Sequence, residues 1–402
     1  MRILLVHNAY GSENPSGENE MVRIEQQLLL DNGHDVELFS RNSDDIRAKG
    51  WVGAVQGALA VPWNPFEARR FKAAAARFQP DVVHAHNTFP LISAAIYSAA
   101  PAHAARVLTM HNYRLYCAAA IPMLNGRVCT DCIDQRSVLP GLKAGCYRQS
   151  RLATLPLAAG IALHRARGTW STDVDGFIAL TEFQRQVMVS GGLPAEATHV
   201  KPNFFPGDPA PVSWPDRKPS CVFAGRLTTE KGVTNLIQAW RAWGPGAPPL
   251  RIIGSGPLRD SMESLAAGLN VSFLGQLPAE STYREIAEAS LLIVPSQCFE
   301  GFPLVLREAF AHGTPVAVSN IGPLPALARQ GQCGLIFDGF DATSLMETVR
   351  AAWADPARLK ALSAAGRQEF LSHYTAEANH NILMTIYDAA TARRKEPNRG
   401  HA

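Results

Sequence analysis

The chain has 402 residues, 47% of them hydrophobic and 18% charged, with a net charge of +3. Such a length holds two domains with full cores, and so small a charge makes no case for nucleic acid as a partner. No run approaches about 18 uninterrupted apolar residues, so no transmembrane helix is expected. The start, Met1-Arg-Ile-Leu-Leu-Val-His-Asn8, is strand-like and lacks the long apolar region and cleavage site of a signal peptide, which points to the cytoplasm.

Taken in order, the first half alternates strand and helix. Residues 2–8 read as a buried strand, and residues 20–31 as a helix with Met21, Ile24, Leu28 and Leu29 on its apolar face and Gly33 as its stop. Further strands are expected at 35–40, 81–86, 106–111 and 176–181. Strands separated by helices of this length imply a parallel sheet covered on both faces. Residues 203–219 carry five prolines in seventeen positions and read as a linker.

The same rhythm restarts at 220, with strands expected at 220–224, 250–254, 271–274, 291–295, 316–319 and 334–337. Helices follow at about 341–354, 356–371 and 375–391, and the polar tail from Arg393 is expected to fray. The expected organisation is a first domain over 1–203, a linker over 204–219 and a second domain over 220–374. A closing helix over 375–392 crosses back to the first domain. Two doubly wound α/β domains turn the C-terminal edges of their strands toward a shared cleft, where open sheets bind ligands.

Three loops of the second half follow strands toward that edge. Gly225-Arg-Leu-Thr-Thr-Glu-Lys-Gly232 sets Arg226 and Lys231 beside a helix start, chemistry suited to a diphosphate. Gly254-Ser-Gly-Pro257 allows close backbone approach. Glu300-Gly-Phe-Pro-Leu-Val-Leu-Arg-Glu308 leads from a buried strand into a helix, with Pro303 a natural first helical residue and Glu308 about two turns along. The helix start offers free N–H groups to a phosphate. No G-x-G-x-x-G run is present, which argues against a nicotinamide or flavin enzyme. Eight helical residues span about 12 Å, whereas glycosidase carboxyl pairs sit roughly 5–9.5 Å apart. Glu300 and Glu308 therefore read better as acceptors for separate hydroxyls than as an acid–base pair.

Gly225-Arg-Leu-x-x-Glu-Lys-Gly232, Glu300-x7-Glu308 and Glu308-Ala-Phe-Ala-x-Gly-x-Pro-Val316 together resemble the family 4 retaining glycosyltransferases of the GT-B architecture. The first half adds Ser16-Gly-Glu-Asn-Glu20, His84-Ala-His-Asn-Thr-Phe-Pro90, Leu108-Thr-Met-His-Asn-Tyr-Arg114 and Lys201-Pro-Asn203, so the likeness spans roughly residues 1–390. The resemblance implies that Arg226 and Lys231 bind the diphosphate of a nucleotide sugar. It places Glu308 on the ribose, Glu300 near the reacting carbon of the sugar, and the backbone of Gly301, Phe302, Pro303 and Leu304 near phosphate or sugar. It brings Gly17 to the diphosphate from the first domain and makes His111 the active-site histidine. The implied reaction moves a hexose, with retention, to a glycan or polyprenyl-diphosphate-linked acceptor in bacterial polysaccharide synthesis, with no cofactor required for catalysis. Ala326 departs from the pattern, standing where the family commonly has Glu.

His84 and His86 alternate along one strand, so only one is expected at the ligand-facing edge; for each, a satisfied core histidine is the better reading. Cys117, Cys129, Cys132 and Cys146 lie in an insertion over 113–150. A structural zinc site and a metal-free reduced loop both fit their spacing, with disulfides a minor third reading. Cys221, Cys298 and Cys333 read as small buried residues. Between 106 and 170 nine Arg or Lys face two Asp. The apolar stretch 152–163, with basic flanks, reads either as a core helix with snorkelling ends or as a peripheral contact with the inner face of a membrane. Two other functions remain open: a nucleotide-sugar epimerase of the same fold, and a zinc-stapled module binding anionic polymers.

Overall fold

A computed structural model describes residues 1–11, 17–329 and 332–396; Ser16 and the tail residues 397–402 named above lie outside them. The chain divides into two units, one of residues 1–122, 130–202 and 379 onward, the other of residues 123–129 and 203–378.

In the first unit β1 (Arg2–Ala9) is buried from Ile3 to Asn8, the apolar run Ile3 to Val6 being covered on both faces and the polar His7 and Asn8 following it. It is followed by β2 (Asp35–Asn42), β3 (Val82–Asn87) and β4 (Ala105–Met110). In chain order the short hairpin of β5 (Met123–Leu124) and β6 (Arg127–Val128), grouped with the second unit, comes next, and then β7 (Gly176–Ala179) and β8 (Thr198–Val200) of the first. The sheet order is β2-β1-β3-β4-β7-β8, parallel throughout, so the winding reverses between β1 and β3. Ile3, Leu5, Val82, Val107 and Ile178 form its core with Leu383, Ile386 and Tyr387 of the helix Ala376–Lys395.

That helix corrects one expectation. Arg393 and Arg394 are helical, not frayed: Arg393 Nη1 lies 2.9 Å from Glu196 Oε1, and Arg394 Nε donates to the Ala102 carbonyl at 3.1 Å. Polar residues at a chain end are held when each finds a partner. Strand β8 was not foreseen; three residues carry too little pattern to stand out.

The second unit comprises β9 (Lys218–Ala224), β10 (Leu250–Ile253), β11 (Val271–Gly275), β12 (Ala289–Val294), β13 (Val316–Ser319) and β14 (Gly334–Phe337). Its order is β11-β10-β9-β12-β13-β14, with the reversal between β9 and β12. Leu236, Ile237 and Trp240 of the helix Val233–Trp243 fill the core over β9 and β10. The end of the proline-rich stretch is tied into this unit by Arg217. Its buried guanidinium donates to the carbonyls of Ala287, Ala289, His312 and Gly313 and to the Thr314 hydroxyl.

The third loop enters its helix later than the sequence suggests. The helix is Leu304–Ala311 with Pro303 as its N-cap, so Pro303 precedes the first helical residue and Glu308 stands little more than one turn in, not two.

Candidate functional site

In each sheet the reversal point marks where a ligand is expected, beyond the carboxyl ends of the strands on either side. In the second unit these are β9 and β12, and they lead into the Gly225 and Glu300 loops. The loops are bonded together through the backbone. Gly225 N donates to Ile253 O at 3.0 Å, Leu227 N to Ser255 O at 2.9 Å, and Gln297 N to Glu230 O at 2.8 Å.

Glycine is required where they cross. A Cβ on Gly254 would lie 2.0 Å from Gly225 O, and one on Gly232, at φ +70°, would lie 1.8 Å from Pro295 O. The Gly254 loop therefore spends its freedom on approach to the neighbouring loop, which was not legible from its own sequence.

Side chains complete this arrangement. Lys231 Nζ lies 2.6 Å from Glu300 Oε1, and Ser296 Oγ donates to the same oxygen at 2.6 Å. Burial works to raise the Glu300 carboxyl, but the Lys231 ammonium beside it brings it below its ordinary value. Burial likewise disfavours charge on Lys231, and Glu300 reverses that, so the pair is ionised. Arg226 extends outward and lies 3.6 Å from Glu230. Phe302 and Pro303 are buried at the head of the helix, while Gly301 and Leu304 are half-buried. Burial raises the Glu308 carboxyl, against the pull of Arg307 3.9 Å away. A buried acid of this kind is stabilised by donors such as ligand hydroxyls. One ammonium with three protons can hold Glu300 and an incoming phosphate oxygen at once.

In the first unit the winding reverses between β1 and β3. Here His7, His86 and His111 gather. His86 Nδ1 lies 3.0 Å from His111 Nε2, and His86 Nε2 lies 3.1 Å from Glu25 Oε1. Glu25 Oε2 accepts from Lys201 Nζ at 2.8 Å, and Lys201 also donates to Asn379 Oδ1 at 3.0 Å. His84 contacts the same carboxylate at 3.3 Å and bonds the Tyr387 and Thr109 hydroxyls, each at 2.8 Å. Residues two apart share a face of a strand, so both histidines point toward Glu25, their rings 4.4 Å apart. Only His86 reaches His111; His84 is a satisfied core residue.

Glu25, His84 and His86 hold their ligand atoms within 4.8 Å of one another. The Lys201 ammonium already supplies the cation there. Burial, with His86 and His7 adding to it, holds His111 well below the usual imidazole range, so its ring is neutral and works as a hydrogen-bond partner. Burial similarly takes His7 down to about 4 and Glu18 up to about 8. Gly17 is exposed and opens the helix Gly17–Asp31.

Glu25 and Lys201 were not singled out as site residues from the sequence. A signal existed, since Glu25 falls four residues after Met21, on the buried face of its helix. A carboxylate at such a position demands a partner.

Of the four clustered cysteines, Cys117, Cys132 and Cys146 lie within electrostatic reach of one another, and burial pushes the Cys117 thiol up to about 12. Gly141 N donates to Cys132 Sγ at 3.2 Å, and all four thiols are half-buried and outside any disulfide. Cys129 falls among the residues grouped with the second unit.

The Lys201–Glu25 pair generates a stability prediction. Lys201→Met strands a buried carboxylate and should cost about 3–5 kcal/mol in urea unfolding. Adding Glu25→Leu to it should recover much of that loss. A single-variant cost under about 1 kcal/mol would contradict the assigned pairing.

Residues 206–369 match the family described as Glycosyl transferases group 1, and residues 25–206 match Glycosyltransferase Family 4. The chain is 33% identical over 234 residues to an exopolysaccharide phosphotransferase of Streptomyces coelicolor, covering 56% of this chain and 24% of that protein. It is 30% identical over 240 residues to D-inositol 3-phosphate glycosyltransferase 1 of Catenulispora acidiphila, covering 54% and 57%. The chain thus spans between 24% and 57% of the length of these relatives.

Among solved structures, sucrose-phosphate synthase from Thermosynechococcus elongatus aligns with a TM-score of 0.68 at 19% identity, over 97% of this chain and 99% of that one. Anabaena HepE, solved with UDP-glucose, aligns at 0.66 and 17% identity, over 96% and 100%. The chain belongs to the group 1, family 4 glycosyltransferases and carries their GT-B architecture of two doubly wound Rossmann-like units.

Proposed function

We propose that the protein is a retaining glycosyltransferase that moves a hexose from a nucleoside-diphosphate sugar to a glycan or lipid-linked oligosaccharide. The observation carrying this reading is the meeting of Lys231, Glu300, Arg226 and the start of the helix Leu304–Ala311 at the reversal point of the second sheet. Departure of a nucleoside diphosphate requires positive potential around the leaving oxygens. Arg226, Lys231 and the helix N–H groups supply it. Glu308, a buried carboxyl raised above its ordinary range by burial, accepts from the ribose hydroxyls. The acceptor hydroxyl attacks the anomeric carbon on the face the diphosphate leaves, and the departing phosphate oxygen takes its proton. His111, neutral and fixed by His86, hydrogen-bonds the donor sugar. Gly17 lets backbone approach the diphosphate. A solved neighbour bound to UDP-glucose supports a donor of this class.

Arg226→Ala and Lys231→Ala should each lose at least about 100-fold in transfer rate, the scale set by removing one preorganised charge partner, with the fold intact by circular dichroism. Full turnover in both variants with the true donor would remove their assigned role. Release of free sugar without acceptor, seen by product analysis, would instead favour the epimerase reading.

The acceptor side has a second feature. Leu152 is 83% and Leu155 51% exposed on the helix Arg151–Ala166, which packs on the helix Gly50–Ala60, where Trp51 is 79% and Leu59 73% exposed. Lys49, Arg148 and Arg151 lie at the ends of these helices. Among the described residues no helix is long and apolar enough to cross a membrane. This face supports peripheral contact with an anionic leaflet carrying a polyprenyl-diphosphate acceptor. The protein should co-sediment with phosphatidylglycerol vesicles and lose that binding in Trp51→Ser/Leu152→Ser. Equal sedimentation of variant and parent would contradict the contact.

A structural zinc is also proposed for the thiol cluster. Cys117, Cys132 and Cys146 would hold it, with Cys129 named as fourth ligand by its C-x2-C spacing. A bound zinc ion would lower the raised Cys117 thiol and clamp the insertion. Metal analysis of active protein purified without chelator should give close to one zinc per chain; active protein with none excludes the site.

A further inference from the structure

Beside His111, within the first unit, lies a cavity of about 110 Å³. Its depth is apolar, walled by Leu108, Leu157 and Ile161, while Arg114 and His111 stand among the half-buried lining residues. Tyr97 and Trp170 line the same space at 1% and 8% exposure, with their rings 6.2 Å apart and edge-on. Neither the Tyr97 hydroxyl nor Trp170 Nε1 has a hydrogen-bond partner among the described residues. Leaving such a donor buried and unpaired costs free energy, and native structures rarely tolerate it without a partner outside the protein.

Of the other polar groups lining the cavity, Arg114 Nε is a further buried donor with no hydrogen-bond partner among the described residues, while His164 and Thr109 are engaged. His164 Nε2 donates to Pro62 O at 2.9 Å and its Nδ1 faces Thr169 Oγ1 at 3.0 Å, while Thr109 Oγ1 faces His84 Nε2 at 2.8 Å. What remains is a donor-tipped apolar pocket. A hydrocarbon would leave the donors unpaired. A bare sugar would bring hydroxyl protons with too few acceptors to receive them. A compact group with a methyl and one strong acceptor oxygen satisfies both demands, and a cavity of about 150 Å³ is known to hold a molecule as large as benzene.

We propose that this cavity is a subsite for a short acyl substituent on the acceptor, an acetamido or O-acetyl group, with Tyr97 and Trp170 donating to its carbonyl oxygen. The acyl group would sit beside His111 and so hold the attacking hydroxyl near the reacting centre. The inference rests on the glycosyltransferase reading for its place in the reaction, although binding itself needs neither donor nor turnover.

The test is fluorine NMR of full-length protein with methyl N-trifluoroacetylglucosaminide as probe. Its signal should broaden, be displaced by methyl N-acetylglucosaminide, and stay broadened in the presence of methyl glucoside. Tyr97→Phe and Trp170→Phe should each weaken binding roughly 5–10-fold, the worth of one hydrogen bond. The melting temperature of Tyr97→Phe should hold or rise, because its hydroxyl has no protein partner to lose. Absence of broadening at millimolar probe, equal binding in both variants, or destabilised Tyr97→Phe would each overturn the subsite. Probe binding that obeys the predictions, in a protein that transfers no sugar to any acceptor, would leave the subsite standing and remove the transferase reading.

Discussion

An ammonium and a carboxylate 2.6 Å apart, Lys231 and Glu300, link the two loops that leave β9 and β12. Each is half-withdrawn from water, so each supports the other's charge against the burial that disfavours it, and together they fix a cation where the sheet winding reverses. The glycines around them serve that closeness. Gly232 lets its loop run against the Pro295 carbonyl, and Gly254 lets another run against Gly225. A bulkier residue at either point would separate the loops and the charges with them. The proposed diphosphate site is thus built from backbone packing first and side-chain charge second.

The first unit solves a similar problem with histidine. Lys201 neutralises Glu25, Glu25 contacts His86, and His86 contacts His111. Burial and neighbouring imidazoles keep His111 neutral, while the chain of contacts fixes its ring. A cation at the root and a neutral ring at the tip give a hydrogen-bonding group whose state does not change near neutral pH. Tyr387 and Asn379, from the last helix, reach the same network through His84 and Lys201. The C-terminal helix therefore completes the core beneath His111.

Much of the fold was legible because parallel strands buried on both faces announce themselves as apolar runs. Residues 316–319 and 334–337 were expected as strands and are strands. Contiguous motifs were legible too, since Lys231 and Glu300, singled out from separate runs, meet at 2.6 Å. The helix phase was less so: Pro303 caps its helix, and Glu308 comes earlier in it than the spacing suggested. Contacts between distant residues were illegible. Glu25 and Lys201 are 176 positions apart, and no local pattern ties them. The cavity between Tyr97 and Trp170 depends on what the surrounding side chains fail to fill, a property of packing that no single segment encodes.

The donor site is the centre of the account, and a structure of the protein with the nucleoside diphosphate of its donor tests it most directly. The account predicts phosphate oxygens within about 3.2 Å of Lys231 Nζ, the Arg226 guanidinium turned onto the same group, and ribose hydroxyls on the Glu308 carboxyl. A nucleotide bound elsewhere, with Lys231 still held only by Glu300 and Glu308 untouched, would contradict it.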